Sequence, residues 1–178
     1  MMRNSRGYFL TTFFACCAVL GTVYYFQYAK GIHPCPLCIM QRIAFYGIGL
    51  SSLLGLLFSA RSQYGHAFIT LFSSFGIVMA GRQLYLQHLP AGQAPACAPS
   101  FNFMLKNFPL HQTLKTLFYG SGDCAIVHWQ FLGLSMAGWS EVILLAILVS
   151  NLAAWAYTSR HSRCKNLAIE DAPSSYTQ

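Results

Sequence analysis

Four stretches of about 20 residues carry almost no charge, and this constrains the chain more than any other feature. They cover about residues 8–28, 42–60, 67–86 and 141–158. The first lies between Arg6 and Lys30 and includes Phe9, Phe13, Phe14, Leu20 and Tyr24; the second is fenced by Arg42 and Arg61. The third crosses Arg82 close to its far end, and the fourth stops before Arg160. An uncharged helix of this length matches the hydrocarbon core of a bilayer, where only helices and closed barrels satisfy their own backbone. Composition agrees: 55% of residues are hydrophobic and 8% charged, against about 25% charged in soluble domains. That balance excludes a soluble enzyme and a disordered tail protein. Despite a pI of about 9.2, it also excludes a nucleic-acid binder of the usual kind.

Arg3 and Arg6 ahead of the first run raise the alternative of a secretory signal peptide. The run is long and aromatic for one, and no small-x-small cleavage site follows it, so it reads as a retained helix. The expected fold is an all-α, four-helix transmembrane bundle over residues 1–165, with a polar cytoplasmic tail from 166 to 178. An even number of spans puts both termini on one side, with Arg3, Arg6, Arg61, Arg160, Arg163 and Lys165. Positive-inside counting makes that side cytoplasmic. Loops at about 29–41 and 87–140 then fall outside. The second is long and carries Pro90, Pro95, Pro99 and Pro109. After Pro109, Leu110, Leu114, Leu117 and Phe118 follow helical spacing, with Gln112 and Lys115 off the stripe. This predicts a short amphipathic helix, either lying on the membrane surface or packed on top of the bundle.

The seven cysteines divide by location. Cys16 and Cys17 sit in the first span and Cys164 near the C-terminus, where each reads as a small hydrophobe. Cys35, Cys38, Cys97 and Cys124 all fall in the outer loops and none in the Arg61 loop, which implies an oxidising compartment on that face. Cys35-Pro36-Leu37-Cys38 opens the second span as a C-x-x-C pair. In a first helical turn its sulfurs come close enough to bond, and free N–H groups and the helix dipole favour a thiolate there. Arg42 lies four residues beyond Cys38, on the same face, where it either serves the sulfur and a polar acceptor or anchors the helix at the interface. Covalent haem attachment would need His after Cys38, where Ile39 stands. A four-cysteine zinc site usually shows two close pairs, whereas Cys97 and Cys124 are widely separated. Two purely structural disulfides remain an alternative.

Cys35-Pro-Leu-Cys38-Ile-x-x-Arg42, Arg82-Gln-x-x-Leu-Gln-x-Leu-Pro90, Cys97, Gly122-Asp-Cys124, Trp129, Phe131-Leu-Gly-Leu134 and Trp139 together resemble the bacterial disulfide bond formation protein B family, from about Gly31 to Trp155. The resemblance implies a quinone-dependent thiol–disulfide oxidoreductase of the inner membrane. Such an enzyme reoxidises a periplasmic DsbA-type dithiol oxidase and passes the electrons to ubiquinone or menaquinone. It implies that Cys35 and Cys38 form the membrane-proximal redox pair and that Cys97 and Cys124 form the second disulfide, with Cys97 facing the partner. Arg42 aligns with a quinone-contacting arginine. His88 aligns with a position that some members use near the quinone, and is otherwise an interfacial histidine. Gln41 stands where some members carry an acid. Two other readings stay open at this point: a structural membrane protein stapled by extracytoplasmic disulfides, and a thiol-coupled enzyme of vitamin K epoxide reductase type. The latter would carry its C-x-x-C late in the bundle.

Overall fold

A computed structural model of the chain describes residues 2–31, 34–58, 62–90, 101–127 and 129–170. Helices dominate it: α1 (Met2–Lys30), α2 (Pro36–Leu57), α3 (Ser62–Gln87), the short α4 (Phe101–Asn107) and α5 (Leu110–Tyr119), and α6 (Met136–Glu170). Four of them are long and apolar enough to cross a membrane, over Arg6–Lys30, Pro36–Leu57, Gln63–Gln87 and Met136–Arg160. The architecture is therefore the all-α, four-helix membrane bundle that the hydropathy predicts.

α2 is the central helix, packed along both α1 and α3, while α3 also packs along α6. α1 and α6 touch far less, which leaves a groove between them. The core falls into two clusters. Phe9, Cys16, Phe45, Ile48, Ile69, Leu144 and Ile147 fill the middle of the bundle. Cys35, Leu37, Met40, Met79, Leu86, Leu117 and Cys124 form the second, at the end where α2 begins and α3 ends. Cys16 thus has the packing role its position suggests. Side chains such as Phe14, Leu71, Val78 and Val149 point away from the bundle, as lipid-facing positions do. Close approach of α3 to its neighbours depends on Gly76, where an added Cβ would stand 2.9 Å from Leu144 Cδ1 and 3.0 Å from the Ala44 methyl.

Three local features add to the sequence reading. α6 starts at Met136 rather than near 141 and continues to Glu170, into the segment read as a polar tail; residues 171–178 lie outside the described residues. Nothing between Ala137 and Glu170 breaks a helix except Gly138, and the stretch after Tyr157 is rich in tolerant helix formers. Second, Phe131-Leu-Gly-Leu134 is a tight hairpin. β1 (Gln130–Phe131) pairs antiparallel with β2 (Leu134–Ser135), and Leu132 and Gly133 take φ of 52° and 79° at the turn. Third, α5 forms where its periodicity predicts, but only Thr113 and Leu117 of it are buried. Leu110, Leu114 and Phe118 stay exposed. Arg82 helps hold the end of α5, its Nε donating to the Tyr119 carbonyl at 3.4 Å.

Candidate redox site

The N-terminus of α2 builds the site. Cys35 is the N-cap residue in extended conformation, and Pro36 follows at the first helical position, where its missing N–H costs nothing. The free N–H of Cys38 donates to Cys35 Sγ at 3.4 Å, and the two sulfurs lie 2.7 Å apart. The first turn thus delivers the sulfur pair that C-x-x-C spacing predicts.

Cys124 arrives from the long loop. The turn Gly122–Cys124 forms one 3₁₀ turn, closed by Cys124 N–H donating to the Ser121 carbonyl at 2.9 Å. Its approach depends on Gly120, at φ +80°, where a Cβ would stand 2.7 Å from Leu86 Cδ1 and 2.8 Å from Leu37 Cδ1. Cys124 is fully buried, and its sulfur is hydrogen-bonded to Cys35. That bond, with support from the backbone at Ser121 and Leu37, pulls Cys124 down to about 6 against the opposing effect of burial. Leu37 lies in the first turn of α2, so a backbone N–H left free by helix geometry serves the sulfur. Cys35 is pushed up: it is hydrogen-bonded to Cys124 and Cys38, and it is buried. Cys35 therefore holds its proton more tightly than an ordinary thiol, and Cys124 less tightly. Cys97, the fourth cysteine of the sequence reading, lies outside the described residues.

Three polar side chains from three helices close the site below the sulfurs. Gln83 of α3 places Nε2 3.3 Å from Cys38 Sγ and 3.5 Å from Cys35 Sγ. Gln41 of α2 donates from Nε2 to Gln83 Oε1 at 2.8 Å, and the Ser140 hydroxyl of α6 reaches Gln41 Oε1 at 2.6 Å. Sequence reasoning notes Gln41, as a position where some members carry an acid, but assigns none of the three to this role. A signal existed, since buried amides within apolar spans are uncommon and seek partners.

Arg42 lines the same cavity as Cys35, Cys38 and Gln83, a space of about 110 Å³. Its guanidinium turns toward α1, donating from Nη1 to Gln27 Oε1 at 2.6 Å and lying 5.0 Å from the Tyr24 ring centroid. Its Nε is buried and has no hydrogen-bond partner among the described residues. His88 stands apart. Its Nδ1 is 2.8 Å from the Leu84 carbonyl, the residue is solvent-accessible, and the end of α3 contributes Gln87 to the cavity lining instead. Alongside runs the groove between α1 and α6, about 370 Å³, with Val19, Val23, Phe26, Trp129 and Met136 common to both spaces. Trp129, Phe131 and Trp139 form a run of ring contacts at its mouth, with Phe26 against Trp129.

Comparison with known proteins identifies the family. The family described as disulfide bond formation protein DsbB matches residues 5–154. Disulfide bond formation protein B of Marinobacter nauticus is 43% identical over 153 residues, covering 84% of this chain and 90% of its own. That of Nitrosococcus oceani is 43% identical over 155 residues, covering 85% and 92%. That of Methylococcus capsulatus is 39% identical over 155 residues, covering 85% and 94%. With four apolar helices around a convergent set of thiols, the chain belongs to the disulfide bond formation protein B family, as a multi-pass membrane protein of disulfide bond formation.

Proposed function

We propose that this protein takes two electrons from a periplasmic DsbA-type dithiol oxidase through Cys97 and Cys124 and passes them, through Cys35 and Cys38, to a membrane quinone, ubiquinone or menaquinone. The observation that carries the reading is the hydrogen bond between Cys124 and Cys35, with Cys38 directly behind Cys35. Thiols that only stapled loops would pair off separately, whereas these three converge on one sulfur.

The exchange proceeds by substitution at sulfur. A partner thiolate attacks Cys97 of the Cys97–Cys124 disulfide, forming a mixed disulfide and releasing Cys124 as thiolate. Cys124 then attacks Cys35; the Cys35–Cys124 bond forms, the Cys35–Cys38 bond breaks, and Cys38 leaves with the electron pair. The partner's second thiol displaces Cys97, which departs as thiolate, and the partner is oxidised. Cys97 finally attacks Cys124, restoring the outer disulfide and leaving Cys35 and Cys38 reduced. A bound quinone supplies the two-electron sink that returns Cys35 and Cys38 to the disulfide. A sink of this kind is needed because DsbA-type proteins are strong oxidants, at about −120 mV.

The residues present suit a quinone. The buried Arg42 Nε offers a charged donor to a ring oxygen in the cavity that Cys38 lines, and the adjoining apolar groove suits an isoprenoid tail. Arginine distribution supports cytoplasmic termini in the inner membrane, with the cysteines on the periplasmic side. The test uses the full chain in lipid nanodiscs with reduced DsbA-type partner, following quinone reduction by its ultraviolet absorbance. Cys38→Ser should abolish turnover; sustained turnover by that variant would overturn the assignment of Cys38.

A further inference from the structure

Resting on the reading of Cys35 and Cys38 as a redox pair, the geometry points to a further catalytic residue: we propose that the Gln83 side-chain amide is the donor that stabilises negative charge on Cys38 when the Cys35–Cys38 bond opens, and that Gln41 and Ser140 act through it as positioning residues.

When Cys124 or another thiolate attacks Cys35, the electron pair of the broken bond goes to Cys38, which is half-buried in the cavity wall. Gln83 is 5% exposed and Gln41 6% exposed, so the amides beside that sulfur are themselves shielded from solvent. Gln83 Nε2 stands 3.3 Å from Cys38 Sγ, and the second sulfur at 3.5 Å is within reach of the same nitrogen. The amide also suits the protonated thiol, since Cys38 Sγ lies 3.7 Å from Gln83 Oε1. One side chain therefore offers a donor to the thiolate and an acceptor to the thiol. Such a group can stay in place through the reaction, and a preorganised donor acts most strongly in a dry site.

What fixes the amide is a line of hydrogen bonds. A thiolate has no proton for an oxygen to accept, so it requires the nitrogen of Gln83. Gln83 Oε1 then receives the Gln41 N–H at 2.8 Å, and Gln41 Oε1 receives the Ser140 O–H at 2.6 Å. α6, α2 and α3 each contribute one member, so the donor direction at the sulfur depends on the assembly of all three. Among the described residues, neither Ser140 nor Gln41 hydrogen-bonds to a sulfur, and in this scheme their influence is indirect.

Stabilising the reduced form makes a dithiol pair more oxidising, so the reduction potential reports the donor directly. The experiment uses the full chain in nanodiscs with Cys97→Ala and Cys124→Ala, leaving Cys35 and Cys38 as the pair equilibrated with glutathione. The ratio of disulfide to dithiol is read by maleimide mass labelling, with protection of buried Cys16 as the check of folding. Gln83→Leu should shift the equilibrium toward the disulfide about tenfold, equivalent to about 30 mV. Gln83→Glu keeps the size and the acceptor for Gln41 but removes the donor, and should shift the same way at least as far. Ser140→Ala should shift it in the same direction by about two- to threefold. If Gln83→Leu does not fold, Gln83→Glu and Ser140→Ala decide the matter. Values for the folded variants within twofold of the parent overturn the proposal. The measurement needs neither quinone nor partner. Loss of the quinone-linked reading would appear instead as a parent protein that equilibrates with glutathione but does not reduce quinone.

Discussion

Removing Cys35 from the reduced protein tests the most specific electrostatic feature of the site. In the structure the Cys124 thiol is pulled down to about 6, chiefly by its hydrogen bond with Cys35. An ordinary thiol titrates near about 8.5. At pH 7 a group at about 6 is about 90% thiolate, whereas one at about 8.5 is about 3%. A hydrogen bond to a charged group contributes about 1.5–3 kcal/mol, or about one to two pH units at 1.36 kcal/mol per unit. Cys35→Ala should therefore move Cys124 up to about 7–8, leaving the backbone at Ser121 and Leu37 to provide the remaining help. The assay is thiolate absorbance near about 240 nm across pH, taken as the difference between the reduced full chain and its Cys124→Ala variant. The sign is fixed: the thiolate persists above about pH 6 and is protonated as pH falls through that value, while Cys35, pushed up, keeps its proton. A parent midpoint above about 8, or a midpoint unmoved by Cys35→Ala, would refute the account of how the cluster holds its charge.

Arg42→Leu should weaken apparent quinone affinity about 10- to 100-fold, the value of a lost charged hydrogen bond, while leaving the glutathione equilibrium of Cys35 and Cys38 near its parent value. Quinone titration of turnover and the maleimide assay report the two separately. Gly120→Ala places a side chain at φ +80°, 2.7 Å from Leu86 and 2.8 Å from Leu37, and should cost about 2–4 kcal/mol in denaturant unfolding from mixed micelles. Full stability in that variant would mean that the turn before Cys124 is looser than its packing indicates. His66→Leu and Asn151→Leu should show a coupling energy of about 0.6–1.7 kcal/mol in a double-mutant cycle of unfolding, the range for hydrogen bonds between membrane helices. Additive effects would mean that the 2.8 Å contact between them contributes nothing.

What could be read from the chain divides by range. Hydropathy is local, so four spans appear in the sequence within a few residues of where the helices lie. The helix after Tyr157 runs on because no Pro or Gly stops it before Glu170, and polarity alone does not end a helix. The C-x-x-C pair was legible because residues three apart in a first turn must meet. Its meeting with Cys124 follows from Gly120 and the 3₁₀ turn, which only the folded loop defines. Arg42 was expected on the face of Cys38, and it does line the same cavity. Yet its partners, Gln27 and Tyr24, come from α1, and no spacing rule relates α1 to α2. The amide line was illegible for the same reason, since it crosses three helices.

The bundle carries a second polar cluster on the same two helices that frame the first. His66 Nδ1 meets Asn151 Oδ1 at 2.8 Å, and Asn151 Nδ2 donates to the His66 carbonyl and to Thr70 Oγ1, each at 2.9 Å. His66 and Asn151 are fully buried, His66 against the rings of Tyr8 and Phe9, far along α3 and α6 from Gln83 and Ser140. Three hydrogen bonds with this geometry define one register of α3 against α6, and Gly76, between the two clusters, leaves no room for a neighbouring one. A slip of one residue is about 1.5 Å along a helix, enough to break contacts of 2.6–2.9 Å at either end. The remote cluster thus fixes the register of the two helices that carry Gln83 and Ser140. Under the proposed exchange, tolerance can then be confined to the segment that carries Cys124, while Gln83 beside Cys38 keeps its place.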